Sequence, residues 1–334
     1  MPKITREEVR VPADVMPEAR DEYITNYLKA TRETGRLMLF ACDQKIEHLN
    51  KDFYGEGIDI ADLDPEHLFK IGSEGVCGVL AGQRGPVAQY AADYPEINYL
   101  IKMNSKTNLV GTKQEDPYSP QLYDLDAVLA MKEAGVNIVG LGYTIYLGSE
   151  YEATMMAEAG ELIAQAHANG LLVVLWIYPR GKAVKAEKDP ALIAGAAGVA
   201  LCLGADFVKV TPPKPEDGRT PAEALKVAST AAGRTGLVCA GGSTVDAETF
   251  LTQLYDQIHV GGADGSQHSP ALPGRGGAPD QGHLRHHLGR LGRRRRPGRV
   301  QRREGLHPGR HLVRPRSLLA ASRPERPPTL RSIP

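Results

Sequence analysis

The sequence predicts an α/β protein built as a (β/α)8 barrel. Eight short apolar runs, many rich in β-branched residues, alternate with helix-like segments over about 250 residues, the usual length of such a barrel. Several runs are continuously apolar, which is typical of strands buried on both faces of a parallel sheet. A doubly wound open sheet is the competing architecture. The count of eight strands favours the barrel.

The predicted strands follow one another with helices between them. In chain order they are 37–42, 76–81, 98–103, 137–142, 171–178, 205–210, 236–240 and 258–261. Residues 123–134 and 190–203 carry helical patterns in two of the intervals.

Two further helices are predicted from their start signals. Ser149 followed by Glu152 has the spacing of a capping box, and this helix is expected to end near Gly170. Thr220 and Glu223, with a proline directly after the threonine, have the same spacing and predict a second helix start.

The net charge of zero conceals two unlike parts of the chain. Residues 266–334 contain 16 arginines, no lysine and three acids, a balance of 16 − 3 = +13. Residues 1–265 therefore hold 40 − 16 = 24 basic and 40 − 3 = 37 acidic residues, a balance of −13. We predict an acidic barrel over 1–265 that lacks its last helix, followed by a basic tail over 266–334.

The tail has the composition of a disordered segment. It is dense in Arg, Pro, Gly and His and has no aromatic residue apart from histidine, so it cannot bury enough apolar surface to order itself. Such composition is typical of GC-rich coding sequence read out of frame. Codons can be chosen so that a neighbouring frame reads R-N-I-H-Q-R-S-L and later T-K-A-I-Y-A-I. We hypothesise a frameshift near Gly265. Non-specific nucleic-acid binding by the arginines is the alternative, and no specific nucleic-acid partner is expected.

The sequence disfavours a membrane protein, a metal site and a disulfide-bonded fold. No apolar run approaches the ~20 residues of a membrane span, and the mixed-charge start lacks a signal-peptide core, so a cytoplasmic location is expected. The four cysteines form no CxxC pair. Glu47 and His48 could suggest a metal, but no second ligand pair has matching spacing. We predict a site with neither metal nor cofactor.

Lys209 is the leading candidate for catalysis. It lies inside the apolar run ADFVKV, near the carboxyl end of the sixth predicted strand, where barrel active sites form. Desolvation lowers the pKa of a lysine, and a neutral amine attacks carbonyl carbons. The alternative is a structural lysine paired with an acid such as Asp43 or Asp206.

Two other strand ends carry groups suited to proton transfer. Tyr178 ends the fifth predicted strand, and its hydroxyl could act as a general acid or base or simply cap the core. Asp43 follows the first strand, where a carboxylate could bind hydroxyls or assist proton transfer.

Glycines near the last two predicted strands suggest a phosphate site. Gly241, Gly242 and Ser243 follow the seventh strand and precede a helix, so their backbone N–H groups could bind phosphate. Gly261 and Gly262 end or follow the predicted eighth strand, the second usual phosphate position of this fold. Tight turns are the alternative for both pairs.

Four segments together resemble the archaeal-type class I fructose-bisphosphate aldolases, a family with some bacterial members. They are FACDQKIEH at 40–48, WIYPRG at 176–181, GADFVKV at 204–210 and CAGGST at 239–244, within a resemblance spanning about 25–265. The resemblance implies a homo-oligomeric glycolytic and gluconeogenic lyase that cleaves fructose 1,6-bisphosphate to dihydroxyacetone phosphate and glyceraldehyde 3-phosphate.

The resemblance also implies a role for each matched residue. Lys209 matches the Schiff-base lysine, Tyr178 the general acid/base and Asp43 the acid at the first strand, while Gly242 and Ser243 match part of the phosphate site. A transaldol-type synthase or a thiolase of the same family stays open. The family pattern after the eighth strand, an arginine and asparagine opening the last helix, is missing after GGADGS, so an inactive barrel also stays open.

Overall fold

Eight parallel strands form a closed barrel in which each strand pairs with its neighbours in the chain, from β1 to β8. This computed structural model describes residues 3–43, 46, 60–107, 115–240 and 247–268, all within one unit, Met1–Gly292. The strands are β1 Leu37–Ala41, β2 Val79–Gln83, β3 Tyr99–Lys102, β4 Ile138–Leu147, β5 Leu172–Pro179, β6 Phe207–Val210, β7 Gly236–Cys239 and β8 Gly265–His268. The pairing of β8 with β1 confirms the barrel.

A helix follows each of the first seven strands, and one more precedes β1. The helices are α1 Arg20–Thr31, α2 Pro65–Glu74, α3 Arg84–Tyr90, α4 Asp126–Glu133, α5 Glu152–Ala168, α6 Pro190–Leu203, α7 Pro221–Ala232 and α8 Ala247–His259. Helix α6 has the predicted bounds. None of the helices in the described ranges is both long and apolar enough to cross a bilayer.

One predicted capping box is confirmed and the other is wrong. At α7, Thr220 Oγ1 accepts from the Glu223 amide at 3.2 Å, and the Glu223 carboxylate accepts from the Thr220 amide at 2.7 Å. At α5 the helix begins at Glu152, with no side-chain cap. The Ser149 hydroxyl donates instead to a loop carbonyl at 2.7 Å, because the long connection after β3 packs beside it.

The apolar side chains form two layers, one inside the barrel and one between the sheet and the helices. The inner layer includes Leu37, Leu39, Val79, Leu100, Val174, Trp176, Phe207 and Val238. The outer layer includes Phe69, Ile101, Leu141, Leu175, Ile177, Val208 and Leu225. Because side chains alternate along a strand, Lys209 faces the barrel interior two residues after Phe207.

The amino end of the barrel is held by a buried polar cluster under α1. Asp206 accepts hydrogen bonds from the Tyr23 hydroxyl and from the Val173 amide, the latter at 2.7 Å. Both ring nitrogens of His167 face carboxylates, with Nδ1 at 2.8 Å from Asp14 and Nε2 at 3.3 Å from Asp206. Asp206 is thus engaged at the opposite end of β6 from Lys209.

The predicted position of the last strand is wrong. Residues 258–261 contain the end of α8 and the turn after it, while β8 spans Gly265–His268. The apolar Ile258 continues a helical spacing with Leu254, so a short apolar run was misassigned as a strand. Strand β8 extends three residues past the predicted barrel boundary at 265; the rest of the predicted tail, 269–334, lies outside the described residues.

Gly265 is required where β8 meets β1. A Cβ atom there would lie 2.1 Å from the backbone oxygen of Leu37, a distance that no side chain tolerates. The missing side chain lets the backbones of β8 and β1 approach closely enough to pair and close the barrel.

Candidate active site

Two lysine amines face one indole at the carboxyl end of the barrel. Lys209 on β6 and Trp176 on β5 are paired in register. The Nζ atom of Lys209 lies 5.0 Å from the centroid of the Trp176 ring, and Nζ of Lys102 on β3 lies 5.2 Å from it. Lys209 is 4% exposed and Lys102 is fully buried. Burial disfavours the charged form of an amine, and a neutral amine is a nucleophile.

Gly142 on β4 makes room for this indole. A Cβ atom at Gly142 would lie 2.6 Å from Cζ3 of Trp176 and 2.8 Å from Cδ2 of Leu100. Gly142 is the register partner of Lys102, so the glycine opens space for the indole beside Lys102. The packing of Trp176 against Lys209 therefore requires that position 142, on β4, carry no side chain.

Asp43 and Lys102 form a buried ion pair beside the amines. The Asp43 carboxylate lies 3.7 Å from Lys102 Nζ, and both side chains are almost fully buried. Lys102 Nζ also donates to the Asn104 carbonyl at 3.3 Å, while Gln83 Nε2 donates to the Asp43 carbonyl at 3.1 Å. The sequence suggested Asp43 as a partner of Lys209, but the ion pair observed for Asp43 is with Lys102.

Asn104 fixes the loop that follows β3. Its Nδ2 donates to the carbonyls of Ser119 and Thr144, each at 2.8 Å, and its Oδ1 accepts from the Thr144 amide at 2.7 Å. The Asn104 side chain is fully buried. This fully bonded amide ties the end of β3 to β4 and holds the Lys102 side of the site in place.

Tyr178 lies near the end of β5 at the rim of the barrel and is partly exposed. Its ring centroid is 6.5 Å from that of Tyr146, and the guanidinium carbon of Arg180 lies 5.8 Å from the centroid of the Tyr146 ring. Glu187 accepts two hydrogen bonds from Arg180, at 3.0 and 3.1 Å. Partial burial lowers the pKa of Arg180, but bonding to Glu187 outweighs it and raises the pKa above its ordinary value.

The two tyrosines of β4 point to opposite faces of the sheet. The Tyr143 side chain faces α5, where its hydroxyl donates to Glu158. Burial, and then Glu158, raise its pKa above the ordinary value. Tyr146 reaches the rim instead, because β4 runs to Leu147 rather than ending at residue 142. The alternating stretch YTIYL was the signal for this longer strand.

Lys182 joins the loops around the rim. Its Nζ lies 3.0 Å from the Asp116 carboxylate and 3.4 Å from that of Glu150. The Asp116 carboxylate also accepts from the Lys182 amide at 3.3 Å. The loop after β5 is thereby tied to the loops that follow β3 and β4.

Two polar atoms near the amines lack a hydrogen-bond partner within the described part of the chain. They are Nε1 of Trp176 and Oγ1 of Thr144, both buried. These residues are register partners on β5 and β4. Buried polar atoms normally find partners, so a donor and a hydroxyl left open here are available to a ligand.

The residues predicted to bind phosphate fall into two groups in the structure. Gly241, Gly242 and Ser243 lie outside the described residues. Gly261 and Gly262 lie in the turn before β8, at the amino end of the barrel and away from Lys209. Their predicted position after the last strand is wrong, because that strand begins later. Across the described ranges, no group of three or more His, Cys, Asp or Glu side chains could hold a metal ion.

The chain is similar in sequence or in structure to several known proteins. The model of the DeoC/LacD family of aldolases matches residues 37–277. A Methanocaldococcus jannaschii protein named fructose-bisphosphate aldolase/6-deoxy-5-ketofructose 1-phosphate synthase is 54% identical over 266 residues, covering 79% of this chain and 84% of that protein. The class 1 fructose-bisphosphate aldolase of Halobacterium salinarum is 33% identical over 228 residues, covering 68% and 80%.

Two solved structures extend the comparison. A fructose-bisphosphate aldolase from Slackia heliotrinireducens is 73% identical with a TM-score of 0.79, covering 80% of this chain and 85% of that one. A Schiff-base-forming fructose-1,6-bisphosphate aldolase is 27% identical with a TM-score of 0.62, covering 73% and 90%.

Proposed function

Because the chain belongs to the DeoC/LacD family of aldolases, we propose that it is a class I aldolase that cleaves fructose 1,6-bisphosphate reversibly through a lysine Schiff base. The products are dihydroxyacetone phosphate and glyceraldehyde 3-phosphate. The names of the M. jannaschii, H. salinarum and S. heliotrinireducens proteins support this substrate. The observation that carries the proposal is the buried amine of Lys209 against Trp176 at the carboxyl end of the barrel.

Lys209 is the proposed nucleophile. Its neutral amine attacks the C2 carbonyl carbon of the open-chain ketose to form a carbinolamine, and loss of water gives an iminium ion. The iminium accepts the electron pair of the C3–C4 bond as that bond breaks, which leaves an enamine on Lys209. Protonation at C3 and addition of water then release dihydroxyacetone phosphate and regenerate the amine.

Tyr178 is the proposed acid/base for bond cleavage. Its oxygen takes the proton from the C4 hydroxyl as glyceraldehyde 3-phosphate leaves. The rim position of Tyr178, two residues beyond Trp176 on the same inward-facing row of β5, supports this role. Asp43, paired with Lys102, is proposed to orient hydroxyls and assist the dehydration step. The open Thr144 hydroxyl and Trp176 N–H suit substrate oxygens.

One substrate phosphate is proposed to bind the loop Gly241–Ser243, which follows β7. Binding energy from a phosphate remote from C3 and C4 positions the bond that breaks. Gly261 and Gly262 have no part in this proposal, because they precede β8. A homo-oligomer and a cytoplasmic location stay predictions from the sequence.

A second candidate activity is a transaldol-type reaction that passes the three-carbon enamine to a different aldehyde. The double name of the M. jannaschii relative favours considering it, since that name includes a 6-deoxy-5-ketofructose 1-phosphate synthase. Both reactions use the same Schiff base, so the acceptor aldehyde distinguishes them. Turnover of the enzyme with a panel of aldehydes in the presence of fructose 1,6-bisphosphate would separate the two.

Borohydride trapping tests the proposed nucleophile. The chain is incubated with dihydroxyacetone phosphate, reduced, digested and mapped by mass spectrometry. We expect the reduced adduct on Lys209, and none in the Lys209→Met variant. Lys102 is the internal control, because its amine lies at nearly the same distance from the indole. An adduct on Lys102 in the parent chain, or no adduct in a chain that is folded by circular dichroism, would refute the assignment.

The acid/base role needs a separate measurement. Tyr178→Phe should lower the cleavage rate far more than it lowers the yield of trapped adduct, since a phenyl ring keeps the packing but cannot carry a proton. Tyr146→Phe is the matched control, because this ring is the neighbour of Tyr178 at the rim. Equal losses of cleavage and of trapping in Tyr178→Phe would count against the role.

A further inference from the structure

Helix α8 presents an apolar stripe to solvent. Leu251, Leu254, Tyr255 and Ile258 recur at the i, i+3, i+4, i+7 spacing of one helix face. Leu251 is 51% and Tyr255 60% exposed, and no residue of 248–259 is fully buried. Helix α6, in the same layer, fully buries Ile193, Ala196, Ala197 and Ala200.

A partly exposed apolar residue lies on the outer face of β1. Met38 is the only residue of β1 that is not buried, and it alternates with Leu37 and Leu39, which face the interior. Its register partner is Ser266 on β8. In a (β/α)8 barrel the helix that follows the last strand packs outside β8 and β1, beside the preceding helix. Met38 and the α8 stripe border this position.

The residues that follow β8 are ill-suited to fill this position. From residue 266 onward the chain has 16 arginines against three acids, and it has no Phe, Tyr, Trp or Met. Leu284, Leu288 and Leu291 do recur at helical spacing, but Arg, His and Gly fill most of the positions around them, and no β-branched residue accompanies them. By contrast, codons consistent with 275–286 can be chosen so that the neighbouring frame reads E-A-V-R-L-T-K-A-I-Y-A-I. Its apolar residues recur every three or four positions.

We propose that the stripe of α8 is the docking surface for a barrel-closing helix encoded in the neighbouring reading frame after Gly265, and that residues 266–334 are translated out of frame. Docking of this helix buries Leu251 and Tyr255 and covers Met38. The proposal concerns the assembly of the barrel and does not depend on which sugar phosphate it cleaves.

Two chains test the proposal: the full chain as it stands, and a re-framed chain in which everything after Gly265 is replaced by the neighbouring-frame translation of the gene. Each is made with Leu251→Glu, and with Gln253→Glu as the matched control on the opposite side of α8. We expect re-framing to raise Tm. We expect Leu251→Glu to lower Tm by about 5 °C or more in the re-framed chain only. Gln253→Glu should have little effect in either.

The other outcomes overturn the proposal. An unchanged or lower Tm after re-framing would mean that no closing helix is encoded there. An equal loss from Leu251→Glu in both chains would mean that the stripe is covered by something they share, such as a second copy. A chain that folds only when re-framed would support the proposal, with the Leu251→Glu and Gln253→Glu comparison made in that chain. A gene that reads through Gly265 without a break, together with tail peptides in the cellular protein, would also overturn it.

Discussion

Replacing His167 with glutamine should remove a pH-dependent part of the barrel's stability. Burial works against the imidazolium, but the hydrogen bonds and charges of Asp206 and then Asp14 outweigh it and raise the His167 pKa to about 9 from the ordinary 6.5. A raised pKa in the folded state means that the protonated form is stabilised by folding. The contribution is therefore complete below about pH 6.5 and is lost as the pH rises through about 9.

The size of the effect follows from the shift. At about 1.4 kcal/mol for each pKa unit, a shift from 6.5 to about 9 corresponds to roughly 3.5 kcal/mol. The Asp14 side chain is 52% exposed, so solvent weakens its share, and about 2 kcal/mol is the working expectation. The buried Asp206 supplies most of the remainder.

Urea unfolding of the parent chain and of His167→Gln at pH 6, 7.5 and 9.5 measures this contribution. The gap in free energy of unfolding between the two should shrink by about 2 kcal/mol from pH 6 to pH 9.5. His259→Gln, at an exposed histidine near the end of α8, is the control and should leave the pH dependence unchanged. A gap that stays constant or widens with pH would show that the cluster under α1 does not hold a protonated histidine.

Three further substitutions test the site and its scaffold. Lys102→Met should cost about 3–5 kcal/mol because it leaves the buried Asp43 carboxylate unpaired, and adding Asp43→Asn should recover much of this loss in thermal unfolding. Gly142→Ala should displace Trp176 and cost about 1–3 kcal/mol, with a lower yield of borohydride adduct as a second readout; unchanged values for both would contradict the packing described. Thr220→Ala should cost about 1 kcal/mol in urea unfolding, and Thr220→Asp, which keeps a capping oxygen, should restore most of it.

The sequence predicted much of the barrel because its strands have a strong local pattern. The run around Lys209 is apolar and short, and a strand there places the lysine on the inner face by alternation alone. Helix α6 carries both end signals, an N-terminal Asp189–Pro190 pair and Gly204 after its last residue, and its bounds were predicted without error. The prediction of a strand at 258–261 failed because Ile258 and Val260 fit a helix end and the turn after it as well as a short strand.

The composition of the site was harder to predict because it depends on register between distant strands. Nothing local links Lys102 with Trp176, or relates Gly142 to either. These residues meet because β3, β4 and β5 are parallel neighbours, with Lys102 opposite Gly142 and Trp176 opposite Thr144. Asp43 was named as one alternative partner of Lys209, whereas its observed ion pair is with Lys102, which was not among the predicted site residues. Tyr146 was not predicted as a rim residue because β4 runs to Leu147, past the predicted strand end at residue 142.

The indole that both lysine amines approach can serve as an intrinsic fluorescent reporter. Trp176 is the only tryptophan of the chain, so its emission comes from one place, about 5 Å from each lysine nitrogen. Charge and proton donors at this range change the fluorescence of an indole. Conversion of an amine into an imine beside the ring therefore changes the tryptophan fluorescence of the protein. Stopped-flow fluorescence can follow the covalent step without a coupled enzyme, a label or a modified substrate.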